Sequence, residues 1–135
     1  MNNKYDVIIV GAGPMGIFTA YELMNKCPEK KVLVIEQGHD IYSRKCPILM
    51  KRISKCPKNK KGQSGCYPSC SLTSGFGGSG AYSDGKFNIT SEFGGWMTDY
   101  LSDEVVLDLI KYVDSINLAH GAPSEVTNPY TKEVL

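Results

Sequence analysis

The order of turn, helix and strand residues in the first 36 positions leaves few folds open to this chain. Tyr5–Val10 (YDVIIV) is a short apolar run rich in β-branched residues, with charge on one side and glycine on the other. It reads as a buried parallel strand. GAGPMG follows, then IFTAYELMNK, an amphipathic run that predicts a helix to about Lys26. Cys27 ends that helix because Pro28 comes next, and a residue before proline avoids helical geometry. Lys31–Ile35 (KVLVI) reads as a second buried strand. Strand, helix and strand within about thirty residues form a βαβ unit with a right-handed crossover.

The turn inside that unit carries the chemistry. Gly11, Gly13 and Gly16 form G-x-G-x-x-G, with Ala12, Pro14 and Met15 between them. Gly11 permits a tight exit from the strand. A side chain at Gly13 would hold the backbone away from a pyrophosphate, and Gly16 lets the helix pack against the strand. The helix N-terminus offers unpaired N–H groups and a positive dipole end to phosphates. Glu36 closes the second strand; a carboxylate there accepts hydrogen bonds from adenosine ribose hydroxyls and repels a 2′-phosphate. NAD or FAD is therefore expected over NADP, and Glu36→Ala should weaken adenosine binding without unfolding the chain. A glycine triplet alone arises by chance in loops, but one that leaves a strand, opens a helix and is completed by an acid is specific to dinucleotide binding. The expected fold class is α/β: a Rossmann-like FAD/NAD(P)-binding βαβ unit within an incomplete doubly wound sheet.

Residues 41–74 differ in character. No aspartate or glutamate lies between Asp40 and Asp84, whereas Arg44, Lys45, Lys51, Arg52, Lys55, Lys58, Lys60 and Lys61 all fall there, with four of the five cysteines. Prolines, glycines and serines break any periodicity, so an irregular Cys-rich basic insertion is expected. Cys46, Cys56, Cys66 and Cys70 could hold zinc or an iron–sulfur cluster. No C-x-x-C pair is present, and ordinary reduced cysteines are the preferred reading, with no metal expected. A redox disulfide needs closer spacing just after the glycine strand, and Cys27 is a helix-end residue. The basic run reads as a solvated loop. Arg44, shortly after Glu36, is singled out as able to reach the adenosine end of a cofactor.

A second glycine-rich segment, 75–100, begins GFGGSGAYSDG. Its bare backbone at Gly77, Gly78 and Gly80 could lie against a flat ring or a phosphate, or form a flexible loop. Lys86–Tyr100 suggests one short strand and a turn. A helix is expected over 102–121, capped by Ser102, with Asp103 and Glu104 in its first turn. Val106, Leu109, Ile110, Val113 and Ile116 form its apolar stripe, and His120 falls in its last turn. Asp84 and Lys86 read as a turn residue and a surface charge.

YDVIIVGAGPMGIFTAYEL with IEQG resembles the N-terminus of the glutathione-reductase-like FAD-dependent oxidoreductases. SGFGGSGAYSDGKFN followed by EFGGWMTDYL resembles, more narrowly, the bacterial FAD-dependent (NAD(FAD)-utilising) dehydrogenases. The resemblance implies that Gly11–Gly16 hold the FAD pyrophosphate and that Glu36 with Gln37 hold the adenosine ribose. It further implies that Gly77, Gly78, Ser79, Gly80 and Ala81 approach the pyrophosphate and the flavin. NAD(P)H is the usual redox partner in that family, whose members are several times longer. The 135 residues therefore read as a single truncated FAD-binding domain, awaiting a C-terminal part or a partner subunit, with the catalytic residues unknown.

Composition limits the remaining classes. With 41% hydrophobic and 21% charged residues and a net charge of +1, the chain is no disordered tail, collagen or coiled coil, and a dedicated nucleic-acid binder is disfavoured. Val7–Tyr21, interrupted by three glycines and a proline, makes a poor export or membrane segment, so a cytoplasmic protein is expected. Two rivals to a flavin oxidoreductase remain: a non-catalytic fragment or small subunit, and a metal-binding or nucleic-acid-associated module built on the cysteine-rich loop.

Overall fold

The apolar runs on either side of the glycine turn form the sheet. In the computed structural model, which describes residues 4–58, 62–67, 69–92 and 94–126, β1 spans Val7–Val10 and β2 spans Val32–Ile35. They pair in parallel, Val7 opposite Val32 through Val10 opposite Ile35. The Gly11 amide extends the ladder by donating to the Ile35 carbonyl at 2.7 Å. At the other end, Asp6 Oδ2 accepts from the Lys31 amide at 2.8 Å. Helix α1, Pro14–Lys26, connects the strands and packs on both. Pro14 suits its first position, where an N–H has no partner to lose. The helix stops at Cys27, whose amide still reaches the Leu23 carbonyl at 2.8 Å. The described residues form a mixed α/β protein with a two-stranded parallel sheet and two helices.

The strands are less buried than their apolar runs predict. Ile8 is 57% exposed, Val10 84% and Ile35 47%. A parallel strand is buried on both faces only when helices cover both and strands flank it. Here each strand has one neighbour, and α1 is the helix packed on the pair.

Contacts divide the chain into two units, Met1–Gly85 and Lys86–Leu135. In the first, the cysteine-rich stretch is irregular as expected, a succession of turns with an isolated antiparallel bridge between Lys58 and Ser64. The second glycine stretch leads into a 3-10 turn, Gly78–Tyr82. Ala12 and Cys46 are the buried apolar residues of this unit among those described, and Arg44 is buried with them.

In the second unit, the strand expected in Lys86–Tyr100 does not form among the described residues; a short 3-10 turn, Met97–Asp99, stands there instead. Gly94 and Gly95 adopt positive φ (+74° and +87°), which breaks the extended run. Helix α2, Asp103–Ala119, ends two residues earlier than its pattern suggests. Ser102 Oγ accepts from the Val105 amide at 3.4 Å, and Val106 is the buried member of the apolar stripe. His120 lies past the last turn as the C-cap, its Nδ1 2.8 Å from the Ile116 carbonyl. Among the described residues no helix is long and apolar enough to cross a membrane. Lys60, Lys61 and Phe93, and the chain from 127 onward, lie outside the described residues.

Candidate functional site

The fold makes different demands on the three glycines of the first turn. Gly11 leaves β1 at φ +102°, a conformation that side chains disfavour. A Cβ on Gly16 would drive into the Gly11 carbonyl oxygen and lie 3.3 Å from Ile9 Cγ2, so the start of α1 can approach β1 only because that atom is missing. Gly13 is unlike both. Its φ of −74° suits any residue, and a Cβ there would meet no protein atom within 4 Å. Nothing within the chain demands a glycine at 13. The space before it is open, it is the N-cap of α1, and no side chain caps that helix end.

Glu36 performs a task that its position at the end of β2 does not disclose. Its Oε2 accepts from the Ala12 amide at 2.8 Å, while Oε1 accepts from Gly38 at 2.9 Å and Gly75 at 3.0 Å. One carboxylate thus gathers the first glycine turn, the exit from β2 and the start of the second glycine stretch. The Ala12 and Gly38 amides, against some desolvation and with further help from those of Gly75 and Gln37, hold its pKa below the ordinary 4.5. Gln37, the next residue, is exposed.

The second glycine stretch is fastened against the first. The Gly77 amide donates to the Ala12 carbonyl at 2.8 Å, and Phe76 donates to that of His39 at 3.0 Å. Gly78 is buried at φ +59°, and a Cβ on it would come within 3.1 Å of both Gly13 Cα and Pro14 Cδ. Gly77 and Gly78 therefore sit beside the opening at Gly13, with Ser79, Gly80 and Ala81 exposed beyond them.

Arg44, only 4% exposed, makes this possible. Its Nε donates to Ser71 O at 2.8 Å, its Nη2 to Leu72 O at 2.9 Å, and its Nη1 to Phe76 O at 2.9 Å and Gly78 O at 2.7 Å. The guanidinium also lies 4.9 Å from the Tyr82 ring centre, and the Tyr82 hydroxyl donates to the Arg44 carbonyl at 2.6 Å. The basic residue singled out from sequence for the adenosine end is thus surrounded by carbonyls of its own chain. Tyr82 and Gly38 escaped the sequence reading. A Cβ on Gly38 would come within 2.6 Å of the Gly75 nitrogen. The glycine that ends IEQG was the available signal for the second contact; no local pattern marks the first.

The dispersed cysteines converge. Cys46, Cys56, Cys66 and Cys70 line one cavity of about 90 Å3, although they span 25 positions of chain. Burial, followed by the proximity of Cys70, Cys56 and Cys46, pushes the Cys66 thiol up. Hydrogen bonds from the Leu72 and Thr73 amides lead the effects that pull Cys70 down, with Arg44 adding to them. All five cysteines are free, and Cys27 stands apart at the end of α1. Among the described residues no three histidine, cysteine, aspartate or glutamate side chains are grouped so as to hold a single metal ion.

A stretch of 41 residues, 30% of this chain, is 44% identical to the FAD-containing monooxygenase EthA of Mycolicibacterium smegmatis. The match spans 8% of that protein, so the chain corresponds to a small part of the relative it resembles. No family model and no solved structure matches the chain.

Proposed function

We propose that this chain is the FAD-binding portion of a flavin-dependent oxidoreductase, with a Rossmann-like βαβ unit as its cradle. The open face of Gly13 carries this reading: a glycine with ordinary backbone angles, at which a Cβ would meet nothing within 4 Å, is explained by something that approaches from outside. A pyrophosphate at the uncapped start of α1 would meet the N–H groups and dipole of its first turn. A carboxylate at the end of β2 suits a ribose hydroxyl. Gly77–Ala81, held beside Gly13, would border the same ligand. The likeness to an FAD-containing monooxygenase favours FAD over NAD as the dinucleotide.

In that role the chain's own residues bind and orient. Gly13 and Gly78 allow close backbone approach, Glu36 holds the adenosine end, and Arg44 keeps the second glycine stretch in place. The flavin, when bound, supplies the redox chemistry, and its protein sets position and electrostatics. Whether a dehydrogenase or a monooxygenase reaction follows depends on residues that neither glycine stretch contains. A second reading, that cofactor binding needs a further chain or segment, is favoured by the exposure of Ile8, Val10 and Ile35 on the sheet.

The test is retention of flavin. The chain, purified without air, is mixed with FAD and desalted, and its visible absorption is recorded. A flavin band near stoichiometric amount supports a self-sufficient FAD module. An empty spectrum from a folded chain supports the second reading, and retention of NAD in place of FAD would overturn the first.

A further inference from the structure

The four cysteines of the basic insertion and the cavity they line serve no purpose in dinucleotide binding. From their convergence on one void we infer that Cys46, Cys56, Cys66 and Cys70 are the ligands of an iron–sulfur centre of the four-iron, four-sulfide type. This site stands independently of the flavin reading.

Three observations carry it. The first is convergence: four residues separated by long, irregular spacings meet around one cavity, while the fifth cysteine stands elsewhere. The second is the size of the void. About 90 Å3 is the liquid volume of roughly three waters. Zinc bonds sulfur at about 2.3 Å, which draws four thiolates to within about 4 Å of one another and leaves no void. Among the described residues no group of three or more such side chains is arranged to hold a single metal ion. Thiols spread around a space of several atoms suit a core that is itself several atoms wide. Ile48 and Leu72 share the cavity wall and give it an apolar lining.

The third observation is charge. Four thiolates around such a core make a net-anionic centre. The segment that supplies them has no carboxylate between Asp40 and Asp84 and carries Arg44, Lys45, Lys51, Arg52, Lys55 and Lys58 among its described residues. A basic, acid-free run is the environment that stabilises thiolate and cluster together. Arg44 ties this cavity to the glycine cradle, because two of its carbonyl partners, Ser71 and Leu72, line the void and the other two belong to Phe76 and Gly78.

Assembly needs inorganic iron, ferrous and ferric in equal parts, and sulfide. Each S–H bond breaks and its proton passes to solvent as a sulfur–iron bond forms. The cysteine sulfur donates the electron pair it keeps, so ligation changes no oxidation state.

The full chain and its Cys66→Ser, Cys70→Ser and Cys27→Ser variants are isolated without air, before and after incubation with iron, sulfide and a thiol reductant. Iron, zinc and acid-labile sulfide are then counted per chain, and iron Mössbauer and electron paramagnetic resonance spectra are recorded, which flavin absorption cannot obscure. The expected result is about four irons and four sulfides per chain in the parent and in Cys27→Ser, with at least a fivefold loss in the other two variants. Because serine at 66 or 70 could unfold the loop, alkylation of the parent chain is read by mass as well. Cys46, Cys56, Cys66 and Cys70 should react only after iron is chelated, and Cys27 both before and after. One zinc per chain without sulfide, a folded chain that takes up no iron, or iron that survives loss of Cys66 and Cys70 would each overturn the assignment.

Discussion

Glu36 offers the sharpest check on how the cradle is held together. In Glu36→Gln the side chain keeps one carbonyl oxygen and gains an amide group. The oxygen is best placed where Oε1 now stands, because that position accepts from both Gly38 and Gly75. The new NH2 then faces the Ala12 amide, donor against donor. Ala12 is 1% exposed, so its N–H cannot turn to water. A buried donor left unsatisfied costs about 1–3 kcal/mol, which is the expected loss at pH 7. Glu36→Ala removes the acceptors of all three bonds and should cost roughly 3–5 kcal/mol, a large share of a small domain's stability. The alanine variant is therefore expected to lose stability as well as adenosine binding. The pH dependence follows from the lowered pKa. A carboxyl that ionises more easily folded than unfolded contributes its full stability above about 4.5, its ordinary value, and loses it as pH falls through the lower folded value. The gap between parent and Glu36→Gln in urea unfolding, followed by circular dichroism, should be widest at neutral pH and close on acidification. A cost below about 0.5 kcal/mol at pH 7, or a gap that widens in acid, would refute this account.

Two further substitutions separate internal from external demands on the backbone. Gly13→Ala should change stability by less than about 1 kcal/mol, since its Cβ meets nothing, yet weaken FAD binding at least about tenfold. Gly16→Ala should cost about 2 kcal/mol or more through its clash with the Gly11 carbonyl, and equal unfolding midpoints for the two variants would contradict the distinction. Arg44→Lys should lose at least about 2 kcal/mol in thermal unfolding, because one ammonium cannot reach four carbonyls that a planar guanidinium now serves; an unchanged melt would show that those bonds matter little.

Local features were legible in the sequence and long-range ones were not. Strand, helix and strand came within three residues of their observed bounds because β-branched runs, Pro14 and Pro28 act locally. Gly11 and Gly16 could be assigned their separate backbone tasks for the same reason. The exposure of Ile8 and Val10 was hidden, since an apolar run predicts burial only if the covering elements exist. Arg44 was noticed for its charge, but its partners lie 27 to 34 positions away, and no spacing rule reaches that far. The cysteines show the same limit: gaps that look too loose for a site along the chain close around one void once the turns of the insertion are folded.

The polar side chains of the cradle also decide how a phosphate could be held. Glu36 gathers amides and Arg44 gathers carbonyls, so each charge organises backbone of the opposite polarity. The Ala12 and Gly75 amides, which lie closest to the two glycine stretches, already donate to Glu36 and are not free for a ligand. Arg44, the buried cation among the described residues, is likewise committed to its own chain. What remains at Gly13 is the uncapped first turn of α1, PMGI, which contains no charged side chain. A pyrophosphate bound there would be met by helix N–H groups and the helix dipole, not by a lysine or arginine. Ion pairing with several cations would make affinity fall steeply with salt, whereas hydrogen bonds from fixed backbone dipoles respond far less. FAD affinity should therefore change less than about threefold between roughly 50 and 500 mM sodium chloride, measured by flavin fluorescence quenching. A loss of tenfold or more would mean that lysines of the basic insertion reach the phosphates, and that the first turn of α1 is not the principal anion site.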